Sequence, residues 1–329
     1  DLDDPEPVDI DLLVVSHTDD DHLGGLVPII QHPLIEVKKV IHSGIAKYSS
    51  GFATSLGNTI EHDGEEYLIT RHDSIGDIAG DNLTNLMTSW RDACVAEPEL
   101  MYQAVDSGSP AIDLGDPAVS LQVLAPRLAT IPGHNEPVFP WFDGVGPTVN
   151  GNSVVLLLKY NKVRVLLSGD LNKKSEKYLI SDAQFTTDCD AHFLKAPHHG
   201  SNDYDRDFLK AVHPQVTVVS SGEMKDFGHP RANFLGTVGS VSRSKEPLLF
   251  STELVALFIE EDGSPAPAAP QEIDPTDFHS MDLARKRFKK YLNGLVNVRT
   301  DGEDILCYRR VKAWYQFVAY KQKARERDD

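Results

Sequence analysis

The sequence runs to 329 residues and carries 32 Lys and Arg against 50 Asp and Glu, a formal net charge of −18 with His neutral. That balance excludes a general nucleic-acid-coating protein, whose affinity would come from a basic surface. Hydrophobic residues make up 40% and charged residues 25%, an ordinary globular composition, so the chain is expected to bury a sizeable core as one large domain plus an appendage, or as two domains.

Ile10 to Val15 predicts a short buried strand that delivers the chain into Ser16-His17-Thr18-Asp19-Asp20-Asp21-His22. Leu23-Gly24-Gly25-Leu26 then opens a helix through Ile30, and Ile35 to Ile41 reads as another strand. Between 44 and 118 the pattern yields one helix, Leu83 to Val95, within Gly-, Asp- and Ser-rich loop. Val119 to Leu124 is a strand, and the Pro- and Gly-rich stretch from Pro126 to Pro147 is long for a connection and suited to covering a site.

Val154 to Tyr160 and Val163 to Leu167 flank Asn161-Lys162 and predict a hairpin, whose second strand ends at Ser168-Gly169-Asp170 before a polar helix from Lys173. Strand His192 to Ala196 leads into Pro197-His198-His199-Gly200-Ser201, followed by a helix near Arg206 to Val212 and a strand Val216 to Ser220. Gly228-His229-Pro230 comes next, then a strand at Val255 to Ile259 and a Pro/Ala-rich linker from Ser264 to Pro275. A basic helix, Met281 to Leu292, precedes a hairpin turning at Asp301-Gly302 and a charged tail after Tyr320.

No run approaches the ~20 apolar residues that span a bilayer, and the N-terminus lacks the basic-then-apolar look of a signal peptide, so a cytoplasmic protein without a membrane segment is expected. Cys94, Cys189 and Cys307 are odd in number and far apart. They predict neither a disulfide framework nor a CxxC metal site and fit a reducing compartment.

His17, Asp19, Asp21 and His22 place two imidazoles and two carboxylates within six residues at a strand end. Crowding that many acceptors without a cation is costly, and a divalent metal resolves the cost, whereas an acidic loop in solvent is the bland alternative. Asp170 follows a hydrophobic strand, as a ligand delivered to a rim does and as a helix N-cap also does. His198-His199-Gly200 stands at another strand end, where glycine permits a sharp turn.

His17-x-Asp19-x-Asp21-His22-x-Gly24-Gly25, Leu167-Ser168-Gly169-Asp170, Lys195-Ala196-Pro197-His198-His199-Gly200-Ser201 and Phe227-Gly228-His229-Pro230 together resemble the metallo-β-lactamase superfamily. More narrowly, they are similar to the hydrolase domain attached to ComEC-type DNA-uptake channels. The resemblance covers about residues 8 to 262 in the expected order. It implies an α/β (α+β) fold, an αββα sandwich with one or two divalent ions at the sheet edge, and hydrolysis as the reaction. Domains are then expected at 1–262 for the hydrolase, 263–276 for the linker and 277–329 for a helix and hairpin appendage.

Carried over position by position, His17 and Asp19 would bind a first ion, Asp21 and His22 a second, and Asp170 would bridge. His198 or His199 would complete the second site, with the choice between them open. Asp19, Asp21, His198 and His229 are the candidate catalytic residues, and Asn152, Ser201 and His229 the candidates for touching substrate. Two departures matter. The superfamily has His where this chain has Asp19, and another His where it has Asn150-Gly151-Asn152-Ser153, so the first site is oxygen-rich. Mn²⁺ and Mg²⁺ therefore compete with Zn²⁺ there. The superfamily also places several strands before its first histidine motif; here only 16 residues precede His17 and the chain opens on Asp1, so an N-terminal fragment or a second polypeptide is expected to supply the missing strands.

With two ions a phosphodiester is the natural substrate, which favours a phosphodiesterase or nuclease acting on single-stranded DNA or RNA. A small phosphoester suits the acidic surface, and a partner-dependent effector in which the fold is regulated or acts as scaffold is the third alternative. Arg285-Lys286-Arg287-Phe288-Lys289-Lys290-Tyr291 is either a nucleic-acid contact or the solvated face of a helix. Trp314, Tyr315 and Phe317 read as core.

Overall fold

In the computed structural model, residues 7–222, 227–252, 296–310 and 317–324 are described. In chain order the elements are β1 (Val8–Ile10), β2 (Leu13–Val14), α1 (Asp20–Leu23), α2 (Val27–Ile30), β3 (Ile35–Val37), β4 (Lys39–His42), β5 (Tyr48–Ser50), β6 (Ala53–Ser55), β7 (Thr59–His62) and β8 (Glu65–Leu68). They continue with α3 (Asn85–Val95), β9 (Met101–Ala104), β10 (Val119–Ala125), β11 (Phe139–Pro140), α4 (Val145–Gly151), β12 (Val155–Tyr160), β13 (Val163–Leu167), α5 (Lys173–Ile180) and α6 (Ala183–Asp188). Then come β14 (Phe193–Lys195), α7 (Arg206–Val212), β15 (Val216–Val219), α8 (Ala232–Ser240), β16 (Leu248–Ser251), β17 (Val296–Thr300), β18 (Asp304–Arg310) and β19 (Phe317–Lys323). The fold is mixed α/β. Among the described residues no helix is long and apolar enough to cross a membrane.

The chain divides into two compact units. The first gathers the described residues up to Ile112 with Gln122–Leu156 and Ser168–Leu179; the second gathers Asp113–Leu121, Leu157–Leu167 and the described residues from Ile180 onward.

In the first unit β2, β4 and β9 form an all-parallel sheet, with Leu13 opposite Val40 and Ile41 opposite Gln103. Because the strands are parallel, the loops that leave their carboxyl ends, at Ser16, Ser43 and Val105, emerge on one edge, where parallel sheets place ligand sites. The single strand expected over Ile10 to Val15 is two strands: β1 pairs with β3, and β2 with β4. Likewise the helix expected from Leu23 to Ile30 is two short turns, α1 and α2, and 44 to 104 holds two antiparallel ribbons, β5–β6 and β7–β8, and strand β9. Helix α3 matches its expected span. Thr84 caps it by accepting the Met87 N–H, and Met87, Trp90, Ala93 and Cys94 turn one apolar stripe into a core with Val15, Leu23, Val40 and Ile78.

In the second unit β13, β14, β15 and β16 run parallel, and β12 lies beside β13 through the tight turn at Asn161-Lys162. Asn161 takes φ of 51°, a left-handed conformation that asparagine tolerates better than most residues. Helix α7 has the predicted span, with Asp205 accepting the Asp207 and Phe208 N–H groups at its start. The C-terminal β17–β18 hairpin turns at Asp301-Gly302 as expected. Its Ile305 and Cys307 are buried with Val163, Phe193, Val216 and Phe250 of the parallel sheet. Gly302 is required there: its φ is 91°, and a Cβ would meet the Asn161 side chain at 2.5 Å. None of the three cysteines forms a disulfide, and burial pushes the Cys94 and Cys307 thiols up to about 12. The expected strand at Val255 to Ile259, the linker, the basic helix with Arg285 to Tyr291, and Trp314 and Tyr315 lie outside the described residues, as does the side chain of Phe317.

Candidate metal centre

The first unit brings Asp21, His22 and Asp170 together, with their ligand atoms within 4.8 Å of one another. Strand β2 delivers Ser16 and His17 to the sheet edge. Helix α1 then turns Asp21 and His22 back, its first turn capped by the Asp19 carbonyl accepting the His22 and Leu23 N–H groups. Asp170 arrives from the other direction, after Ser168-Gly169. The two approaches are joined by backbone, since the Ser16 carbonyl accepts the Val154 N–H at 2.8 Å and the Ser153 hydroxyl accepts the Asp170 N–H at 3.1 Å.

His22 Nε2 stands 3.2 Å from Asp170 Oδ2 and 3.7 Å from Asp21 Oδ2. Ligand atoms around a tetrahedral ion at ~2.1 Å are about 3.4 Å apart, so this spacing fits an ion between them. The exposures grade across the group: Asp170 is 3% exposed, His22 18% and Asp21 55%. Two carboxylates and an imidazole at this spacing could hold a divalent metal ion.

Ser16, absent from the sequence expectations, orients both histidines. Its hydroxyl lies 3.1 Å from His17 Nδ1 and 3.2 Å from His22 Nδ1, with the two rings 4.1 Å apart between centroids. For His22 to present a lone pair at Nε2, its proton must sit on Nδ1 and be donated to Ser16, as hydrogen-bonded ligand histidines require. The same hydroxyl faces His17 Nδ1, from which it can accept or to which it can donate. A serine before a histidine motif carries no periodic or compositional signal; only its place at the end of β2 pointed to it.

His17 and Asp19 stand outside this group. His17 is buried, and its Nε2 is 3.8 Å from Asp19 Oδ2. The other Asp19 oxygen receives the Lys47 ammonium. Asn152, expected near substrate, is 1% exposed, and its Nδ2 donates to the Pro140 and Thr148 carbonyls at 3.0 and 2.9 Å, closing helix α4.

In the second unit the parallel strands β14 and β15 end at Lys195 and Val219, and the histidine loop follows the first of these. His198, His199 and Gly200 all take positive φ, 42°, 54° and 74°. Two consecutive non-glycine residues in that region are an uncommon and costly backbone, found where side chains must be aimed. His199 Nδ1 is 2.7 Å from the Ser220 carbonyl, which can only accept, so Nδ1 carries the proton and Nε2 the lone pair. The His198 ring lies 5.8 Å from that of His229, and Phe227 stacks on His229 at 6.0 Å. Ser201 uses its hydroxyl to accept the Asp203 N–H at 3.1 Å.

No protein-family model matches the chain. A stretch of 82 residues, 25% of this chain, is 35% identical to competence protein ComA of Neisseria gonorrhoeae, and the match spans 12% of that protein's length.

Proposed function

We propose that this chain is a metal-dependent hydrolase of phosphodiesters, a nuclease or phosphodiesterase, whose ion is held by Asp21, His22 and Asp170. The observation that carries the reading is the convergence of two carboxylates and an imidazole, from stretches far apart in sequence, at the spacing of an ion's ligands. The partial likeness to a competence protein supports a nucleic-acid substrate, and the resemblance of the motifs supports an αββα arrangement.

A divalent ion bound at these residues supplies Lewis acidity, drawing the pKa of a water toward neutrality and offsetting negative charge on a phosphoryl oxygen. The protein does the rest. Asp170, held by its N–H on Ser153, fixes position; Asp21, the most exposed of the three, reaches the attacking water and accepts its proton. The net charge of −18 favours a second reading, a small phosphoester in place of a long nucleic acid.

The test is hydrolysis of single-stranded DNA and of a small chromogenic phosphodiester by the Mn²⁺-loaded protein, with and without chelator. Both activities are expected to vanish on chelation and return with Mn²⁺, and Asp170→Asn is expected to lower them by at least about 100-fold. Hydrolysis of the small diester alone selects the second reading, and hydrolysis indifferent to chelator overturns both.

A further inference from the structure

We infer that the centre holds a single ion, and that the Lys47 ammonium supplies the positive charge that a first ion at His17 and Asp19 would otherwise bring. The inference rests on the metal reading above and concerns the half of the cluster that reading leaves aside.

The carboxylate of Asp19 is already neutralised. Lys47 Nζ is bonded to Asp19 Oδ1, and the two side chains are 16% and 25% exposed, so the pair is sheltered from solvent. An ion taking Asp19 as ligand would have to displace that ammonium or sit within a few ångströms of it, where like charges repel strongly. Lys47 is also held in place through its neighbours. Its own carbonyl accepts the Thr84 N–H at 3.1 Å, the Ser49 N–H bonds the Asn82 carbonyl at 2.6 Å, and the Tyr48 hydroxyl meets His72 Nε2 at 2.8 Å.

The segment Asn150 to Ser153 brings no imidazole, and its serine hydroxyl donates to the Asn150 carbonyl at 2.7 Å while accepting the Asp170 N–H. His17 Nε2 faces Asp19 Oδ2 at 3.8 Å, and its Nδ1 lies 3.1 Å from the Ser16 hydroxyl and 3.4 Å from the Ser153 hydroxyl. Lys47, bonded to Asp19 two residues before Asp21, thus presents a point charge of the kind that stabilises charge building on a phosphoryl oxygen.

Native mass spectrometry and elemental analysis of the whole chain, titrated with Mn²⁺, read the number of ions directly. One ion per chain at saturation is expected. His17→Asn and Asp19→Asn should retain it, and Asp21→Asn and Asp170→Asn should lose it. Lys47→Met should keep the ion while its turnover falls by about 100-fold, with Lys47→Arg recovering most of the loss. Two ions in the unaltered chain, or loss of the single ion in Asp19→Asn, overturn the inference and leave the hydrolase reading standing. Full turnover in Lys47→Met overturns the part given to Lys47. No bound ion in any variant overturns the hydrolase reading and this inference with it. Should Lys47→Met fail to fold, the stoichiometry of Asp19→Asn and the turnover of Lys47→Arg still decide.

Discussion

Gly169 shows how little room the centre leaves for change. Its φ of 54° is left-handed, and a Cβ there would come within 2.5 Å of Ser153 Cβ. Ser153 is the residue that positions the Asp170 N–H, so the clash would be transmitted to the carboxylate. Gly169→Ala is expected to cost roughly 2 kcal/mol or more in stability from backbone strain alone. It should also weaken ion binding by at least about 10-fold, as loss of a supporting contact does. Calorimetric titration with Mn²⁺ alongside thermal melting checks both; unchanged affinity in a folded variant would show that Ser153 does not position Asp170. At this scale Asp21, His22 and Asp170, which the structure brings together, stand out in the sequence because their chemistry is dense and follows strand ends, as do His17 and Asp19, which lie outside that group. Ser16 and Lys47 do not, since a serine and a lysine acquire a role only through the partners the fold gives them.

Elements were legible where the local pattern decides them. The β12–β13 hairpin, α3, α7 and the turn at Asp301-Gly302 each carry their own signal in adjacent residues. The ribbons between Tyr48 and Leu68 were missed because Tyr48-Ser49-Ser50 and Thr59-Ile60-Glu61-His62 expose both faces in part and lack an apolar alternation. Helix α8 was missed because Gly236 and Gly239 lower its propensity, and packing of Phe234 and Val238 overrides that cost. The clearest gain over the sequence is the C-terminal hairpin, which reads as an appendage and instead completes a core. Ile305 is 1% exposed among Val163, Phe193, Val216 and Phe250. Ile305→Ala should therefore lower the unfolding free energy by about 2–5 kcal/mol, measured by urea denaturation. A change below about 0.5 kcal/mol, the usual effect of a surface substitution, would mean that the hairpin does not dock.

The response to acid belongs to the whole molecule. His42 ends β4 with Nδ1 accepting the Gly44 N–H at 2.9 Å and its ring 4.2 Å from that of Tyr102. Burial, reinforced by the neighbouring His72 and Arg71, holds its pKa down at about 3. His72 is also lowered, by burial above all. An unfolded histidine takes up its proton near pH 6.5, whereas folded His42 stays neutral until about 3. Between those values the unfolded chain binds more protons, so this contribution is complete above pH 6.5 and lost as the pH falls, by at most ~1.4 kcal/mol per pH unit for each group. Urea midpoints followed from about pH 7 to about pH 4 should decline, and His42→Gln, which keeps an acceptor for Gly44, should flatten the decline. An equal slope in the variant would assign the acid sensitivity to other groups.

The polypeptide weaves: it enters the second unit at Asp113, returns at Gln122, leaves again at Leu157, comes back at Ser168 and departs at Ile180. Neither half can therefore be excised as a contiguous gene fragment, because any single cut strands pieces of one unit with the other. Partners distant along the chain must also meet before either unit is complete, which slows assembly. Evolutionary or laboratory shuffling that swaps one half at a single breakpoint would leave both halves unfinished.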